Sequence, residues 1–283
     1  MFSSDALADK VVMVTGGGSG LGLSMSKRFV ELGARVAILG RSADRLASAA
    51  TQIDSALANV ATYAADVRDA DAVKQAVAGA VHHFGRIDVL VNNAAGNFLA
   101  ATEDLSANAF DAVVRTVLHG TFNMTNEVGR HMIERGGGGA MLNIVTTYAW
   151  TGSSFVVPSA VSKAGVLALT RSLAVEWATY GIRMNAIAPG PFPTEGAWQR
   201  LMPTKELEEN ARNRIPMRRF GEHLELANLA AFLISDAAPF INGECVTIDG
   251  GEWLASGGEF NDFAQMPRDQ VKRVLRAMRG GML

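Results

Sequence analysis

The stretch Lys10-Val-Val-Met-Val-Thr15-Gly-Gly-Gly-Ser-Gly-Leu-Gly22 decides how this chain folds. It begins as a short apolar, β-branched run and stops at a glycine cluster, the pattern of a buried strand. The glycines permit a tight turn and a close backbone approach to a ligand, and a helix is expected to begin inside them, over about Leu21 to Leu32, ended by Gly33. A helix N-terminus carries unpaired N–H groups and the positive end of its dipole. Strand, glycine turn and helix in this order therefore form a cradle for a pyrophosphate.

Outward from that unit the same period repeats. Arg35 to Leu39 predicts a second strand, followed by a helix from about Asp44 to Leu57, a strand at Val60 to Ala64 and a helix from about Asp69 to Phe84. Val89 to Asn92 is a fourth strand, a long helix is expected over about Phe110 to Arg135, and Ala140 to Val145 follows the turn Gly136 to Gly139. A helix over Ala160 to Tyr180, strands at Arg183 to Ala188 and Val246 to Ile248, and the apolar helix Leu224 to Ile234 complete the pattern. Strands alternating with helices predict an α/β chain: a single doubly wound Rossmann-type domain with a seven-stranded parallel sheet covered on both faces. No composition shift or repeat divides residues 1–283, which read as one nucleotide-binding domain. Pro189, Pro191, Pro193, Pro203 and Pro216 mark 189–216 as an excursion, expected to be a lid over the substrate. In the tail, 252–283, Val271, Val274, Leu275 and Met278 recur at helical spacing opposite Lys272, Arg273, Arg276 and Arg279. That stripe is short, so a helix docked on the body or on a neighbouring subunit is expected before a membrane-surface helix.

With 48% apolar and 19% charged residues and a net charge of −2, the chain has no basic footprint for nucleic acid or an anionic membrane and is not disordered. Cys245 is the lone cysteine, and the five histidines show no metal-ligand spacing, so no metal site is expected. Met1 to Lys10 holds Asp5 and Asp9 and no apolar run, unlike a secretory or transit peptide, and no run of 18 apolar residues occurs. A cytoplasmic protein without stable membrane insertion is the expectation.

Two further features bear on the ligand. The second strand ends Leu39-Gly40-Arg41-Ser42, where a site for NADH would usually carry a carboxylate for the ribose. Arg41 and Ser42 instead suit a 2′-phosphate, which favours NADPH, with Arg45 one turn further on as an alternative contact. Asp66, beyond the third strand, is placed to accept from the adenine amino group.

Thr15 to Gly22, Asp66-Val67, Asn92-Asn-Ala-Ala-Gly96, Ser162-Lys163 and Pro189-Gly190 together resemble the short-chain dehydrogenase/reductase family. The resemblance implies cofactor contacts from Thr15, Gly16, Gly18, Ser19, Gly20, Leu21, Gly22, Val67, Asn93, Ala94, Ala95, Pro189, Gly190 and Phe192, with Lys163 on the nicotinamide ribose. The family's usual tyrosine, four residues before the lysine, is Ser159 here, and the position of its helix asparagine is Val117. A serine hydroxyl is too weak an acid to replace a phenol, so ordinary alcohol–ketone interconversion is not expected. The string Thr146-Thr-Tyr-Ala-Trp150 through Ser159-Ala-Val-Ser-Lys163 resembles the 2,4-dienoyl-CoA reductases of that family, as do Asn92 to Phe98, Arg183 to Pro193, Trp198 to Leu201 and Asp249 to Trp253 with Gly258 to Phe263. By that resemblance Tyr148 and Asn97 stabilise the charge reaching a thioester oxygen, Lys163 holds the ribose, and Ser159 orients its neighbours. It further points to Arg68 and Arg200 for the CoA phosphates, Phe98 and Phe192 beside the acyl chain, a fatty acyl-CoA substrate reduced to the 3-enoyl isomer, and a homotetramer. Against this stand reduction of 2-enoyl thioesters or ketones on the same fold, and an NADPH-binding protein without catalysis, which Ser159 and Val117 would suit.

Overall fold

The computed structural model describes residues 2–195, 198 and 202–279. Its strands are β1 (Val11–Thr15), β2 (Arg35–Gly40), β3 (Val60–Ala64), β4 (Val89–Asn92), β5 (Gly139–Ile144), β6 (Ile182–Pro189) and β7 (Cys245–Ile248). All are parallel, in one sheet ordered β3-β2-β1-β4-β5-β6-β7, and each lies within one residue of its sequence expectation. Among the described residues the helices are α1 (Gly20–Glu31), α2 (Ala43–Ile53), α3 (Ala70–Phe84), α4 (Ala107–Val114), α5 (Gly120–Arg135), α6 (Tyr148–Thr151), α7 (Val157–Glu176), α8 (Lys205–Arg214), α9 (His223–Ile234), α10 (Glu252–Gly257) and α11 (Arg268–Arg279).

The central strands read as continuous apolar runs because both of their faces are covered. The two-residue period sends Val12, Val14, Val36 and Ile38 into one core layer and Val11, Met13, Ala37 and Leu39 into the other. Met25 and Phe29 of α1, Leu46 of α2 and Leu226 of α9 close the first layer; Val73 and Val77 of α3, Met124 and Val128 of α5 and Ala174 of α7 close the second.

Several boundaries depart from expectation, each for a local reason. The second helix stops at Ile53 rather than Leu57, because the Asp54 carboxylate accepts the N–H groups of Ala56, Ala58 and Asn59 at 3.0, 3.1 and 2.9 Å and so offers the backbone a turn instead. The long helix expected over 110–135 is broken into α4, a π turn at Arg115–His119 that holds the buried Val117, and α5. Gly120, just after that turn, packs so tightly on Val67 that a Cβ there would come within 2.5 Å of it. Pro158 in the first turn starts α7 at Val157, ahead of the expected Ala160. The excursion 189–216 is not irregular throughout: Thr204 accepts the Leu207 N–H at 3.2 Å and begins α8.

The strand order reverses between β1 and β4. In open α/β sheets the crevice at such a switch point, beyond the carboxyl ends of the strands, is where ligands bind. The loops after β1 and β4 face each other there.

Candidate active site

Thr15 ends β1 and stitches the crevice together. Its buried hydroxyl accepts the N–H groups of Asn93 and Ala94, after β4, at 3.0 and 2.9 Å, while the Asn93 amide donates to the Thr15 carbonyl at 3.1 Å. Gly16 and Gly20 take φ values of +67° and +53°, the left-handed region that favours glycine. Gly22 admits no side chain, since a Cβ would stand 2.3 Å from the Gly16 carbonyl oxygen. Ser19 caps α1 without a side-chain hydrogen bond, which leaves the first N–H groups of the helix open to an anion.

A cavity of about 530 Å³ opens over this turn, and Gly18, Ser19, Arg41, Ser42, Asp66 and Ala95 are among the residues that line it. The sequence-expected cofactor residues from β1, β2, β3 and β4 thus converge on one space. Its bare glycine floor and basic rim fit an adenine dinucleotide. Arg41, Ser42 and Arg45 meet at the rim; the Ser42 hydroxyl accepts the Arg45 N–H at 3.3 Å to cap α2 and keeps its own proton to donate. Arg68 is turned onto Asp66, with contacts of 2.9 and 2.6 Å to Oδ2, and that guanidinium holds the Asp66 carboxyl below the usual range. The pair is half-exposed and therefore contributes little stability.

The second group of residues sits at the carboxyl end of β5. Lys163, 6% exposed on α7, donates from Nζ to the Ile144 carbonyl, and burial pushes its pKa down to about 8. Ser159, one helical turn earlier and equally enclosed, has its Oγ 3.0 Å from the Tyr148 hydroxyl oxygen. Tyr148 opens α6, and its N–H bonds the Thr146 hydroxyl at 3.2 Å. A phenol is thereby delivered to α7 from a different element.

Not every expected residue joins this group. Asn97 is exposed, accepts the Phe98 N–H at 2.9 Å through its side-chain oxygen and makes no hydrogen bond to Tyr148, so its NH₂ group remains available. Phe98 is exposed, whereas Phe192 turns into the core, pressed on Gly221 where a Cβ would stand 2.3 Å from the ring. Pro189 and Gly190 close β6, with Gly190 packed on Asp249. Arg200 lies outside the described residues. Two features escaped the sequence reading. Trp150 meets Trp253 edge to face at 5.6 Å between ring centroids, and His223 bridges Ser24 and the Pro193 carbonyl. Among the described residues no group of three or more His, Cys, Asp or Glu could hold a metal ion, and no helix is long and apolar enough to cross a membrane.

Behind the site a buried polar chain crosses the sheet: Asn92 Nδ2 donates to Thr125 Oγ1 and Asn143 Oδ1, both at 2.9 Å, and Asn143 Nδ2 donates to Thr170 Oγ1 at 2.8 Å. It ties β4 and β5 to α5 and α7, and so ties the loop bearing Asn97 to the helix bearing Lys163.

A family model described as Enoyl-(Acyl carrier protein) reductase matches residues 16–252. A short chain dehydrogenase from Bacillus anthracis superposes with a TM-score of 0.82 at 43% identity, over 89% of this chain and 98% of that one. This chain belongs to the short-chain dehydrogenase/reductase family. Within the family it is similar to a probable 2,4-dienoyl-CoA reductase [(2E)-enoyl-CoA-producing] of Bacillus subtilis strain 168, 46% identical over 87% of this chain and 97% of that protein. It is also similar to probable 2,4-dienoyl-CoA reductase 3 [(3E)-enoyl-CoA-producing] of Caenorhabditis elegans, 41% identical over 97% of this chain and 92% of that protein. As a member of this family the chain uses a nicotinamide cofactor.

Proposed function

We propose that this chain reduces 2,4-dienoyl-CoA thioesters with NADPH. The observation that carries the reading is the 3.0 Å approach of the Tyr148 hydroxyl to Ser159, one turn from Lys163: a phenol occupies the α7 surface although α7 itself carries only a serine there. The names of the relatives support the substrate class.

Bound NADPH supplies a hydride equivalent to the remote alkene carbon of the diene. Electron density then moves through the conjugated system to the thioester oxygen, and the protein's task is to hold donors where that charge develops. Tyr148 O–H and the free Asn97 NH₂ are the donors; Ser159 holds the phenol in register. Lys163 contributes an ammonium that binds the ribose hydroxyls and adds positive potential. The proton comes from water to the carbon beside the thioester, which gives the 3-enoyl isomer; delivery two carbons further along would give the 2-enoyl isomer. Because no alkoxide has to be protonated, Ser159 in place of the usual tyrosine is compatible with turnover.

Arg41 and Ser42, with Arg45, bind the 2′-phosphate; Asp66 receives the adenine amino group, and the glycine turn the pyrophosphate. Arg68 is paired with Asp66, which lines the dinucleotide cavity, and reaches a CoA phosphate only by leaving that partner. The oligomer is a homotetramer in this reading. An apolar groove of about 580 Å³ on α5 and α7, lined by Leu118, Phe122, Leu169 and Leu173 with Phe122 half-exposed, supports a second copy seated there. One cysteine, enclosed enough that burial pushes its pKa up to about 11, supports a reducing compartment, which we read as the cytoplasm.

The test is a panel of 2,4-dienoyl, 2-enoyl and ketone substrates with NADPH or NADH, with NMR identification of the product double bond. Consumption of NADPH with the dienoyl thioester and a double bond at carbon 3 is expected. Turnover of 2-enoyl thioesters alone would favour the activity named in the family model. Arg41→Ala is expected to narrow the preference for NADPH over NADH about tenfold, the size of a lost charge-assisted contact; an unchanged ratio would move that contact to Arg45.

A further inference from the structure

His223 is the first residue of α9, and both of its ring nitrogens are engaged. Nδ1 lies 2.8 Å from Ser24 Oγ on α1, 199 positions away in sequence, and Nε2 lies 2.7 Å from the Pro193 carbonyl oxygen. A carbonyl only accepts, so Nε2 donates to Pro193, while Nδ1 lies within hydrogen-bond distance of the Ser24 hydroxyl. That hydroxyl is also 3.1 Å from the Gly20 carbonyl, inside the glycine turn. The ring therefore spans from the cofactor turn to the segment that leaves β6.

Its orientation is set by the helix it begins. Glu222 and Glu225 form a capping box, and Arg219 holds Glu225 with contacts of 2.8 and 2.6 Å. The segment it grips is short and held at neighbouring points: Gly221 N–H donates to the Pro191 carbonyl at 3.1 Å, and the Phe192 ring lies against Gly221. Thr194 stands over Gly20, where a Cβ would come 3.2 Å from Thr194 Cγ2. The 189–194 segment thus leaves the carboxyl end of β6 and lies on the first turn of α1, along the edge of the sheet where the dinucleotide cavity opens.

We propose that His223 is a positioning residue that sets the 189–194 segment against the cofactor turn and so fixes the nicotinamide end of the dinucleotide site. This rests on the reading that the cavity binds NADPH with its nicotinamide on the β6 side. Pro193 has a fixed φ and offers only its carbonyl, which His223 Nε2 holds beside the Gly221 contact to Pro191.

The test separates the two ends of the cofactor. Dissociation constants for NADPH and for adenosine 2′,5′-bisphosphate, which lacks the nicotinamide half, are measured by calorimetry on the full chain. His223→Phe keeps the ring volume without the donor and is expected to weaken NADPH about tenfold, with the bisphosphate unchanged within about twofold. His223→Gln, whose side-chain amide reaches the Pro193 carbonyl, is expected to restore NADPH to within about threefold of wild type. Equal weakening of both ligands, or of neither, overturns the proposal. If His223→Phe does not fold, as circular dichroism would reveal, His223→Asn takes its place, being too short to reach Pro193 and therefore expected to weaken NADPH alone. The same comparison with NADH and adenosine diphosphate keeps the two readings apart, since a wild type that prefers NADH refutes the NADPH assignment while His223 is still judged on the nicotinamide-bearing ligand.

Discussion

At the scale of single residues, the chemistry rests on where hydroxyls and one ammonium are held. Tyr148→Phe removes a donor aimed at developing charge and is expected to lower kcat by about 10²–10³ with NADPH affinity unchanged. Ser159→Ala only frees the phenol from its 3.0 Å partner, and a loss nearer to tenfold, about the worth of one hydrogen bond, is expected in the same assay. The reverse order of effects would reject the assignment. Lys163 gives a pH signature. Burial lowers its pKa from 10.5 to about 8 on folding, so between these values the unfolded chain holds the extra proton and stability from this group rises with pH. Below pH 8 both states are charged and the cost of the buried ammonium is constant. In urea titrations, wild type is expected to gain about 2 kcal/mol on Lys163→Met between pH 8 and pH 10; parallel curves would mean that Lys163 titrates normally.

Among elements, the turn from β1 into α1 is the most exacting, because it depends on contacts from β4. Thr15→Val keeps the shape of the side chain but strands the Asn93 and Ala94 N–H groups, and a loss of about 2 kcal/mol in unfolding free energy is expected, with weaker NADPH binding. The same comparison of elements explains what the sequence revealed. Strands announced themselves because a doubly covered strand is an unbroken apolar run, and α1 because its glycines are local. The π turn at Arg115–His119 carried no such mark: a wider turn uses the same residue types, and the Gly120 that follows it packs on Val67, far off in sequence. Helix α8 was hidden by the prolines on either side of it, although Thr204 is an ordinary cap. At the site, Tyr148, Ser159 and Lys163 were legible only through the resemblance of the 146–163 string to the 2,4-dienoyl-CoA reductases, and the structure places them on the consecutive elements α6 and α7. His223 was not, since its partners come from α1 and from the end of β6 and no spacing rule links three such positions.

For the molecule as a whole, the two core layers leave an apolar strip on α5 and α7 that neither layer covers. Phe122→Glu places a charge in it and is expected to convert the proposed tetramer to smaller species, read by light scattering after size exclusion; an unaltered mass would place subunit contacts elsewhere. The tail reaches the chemistry by another route. Trp253 follows β7 by only a few residues and meets Trp150, two positions from the phenol, at 5.6 Å. Indole emission responds to the arrangement of a neighbouring ring, and the chain has only four tryptophans. The protein therefore carries a built-in optical gauge, in which any displacement of α6 against α10 as a thioester arrives can be timed by stopped-flow fluorescence without a dye, with Trp150→Phe as the blank.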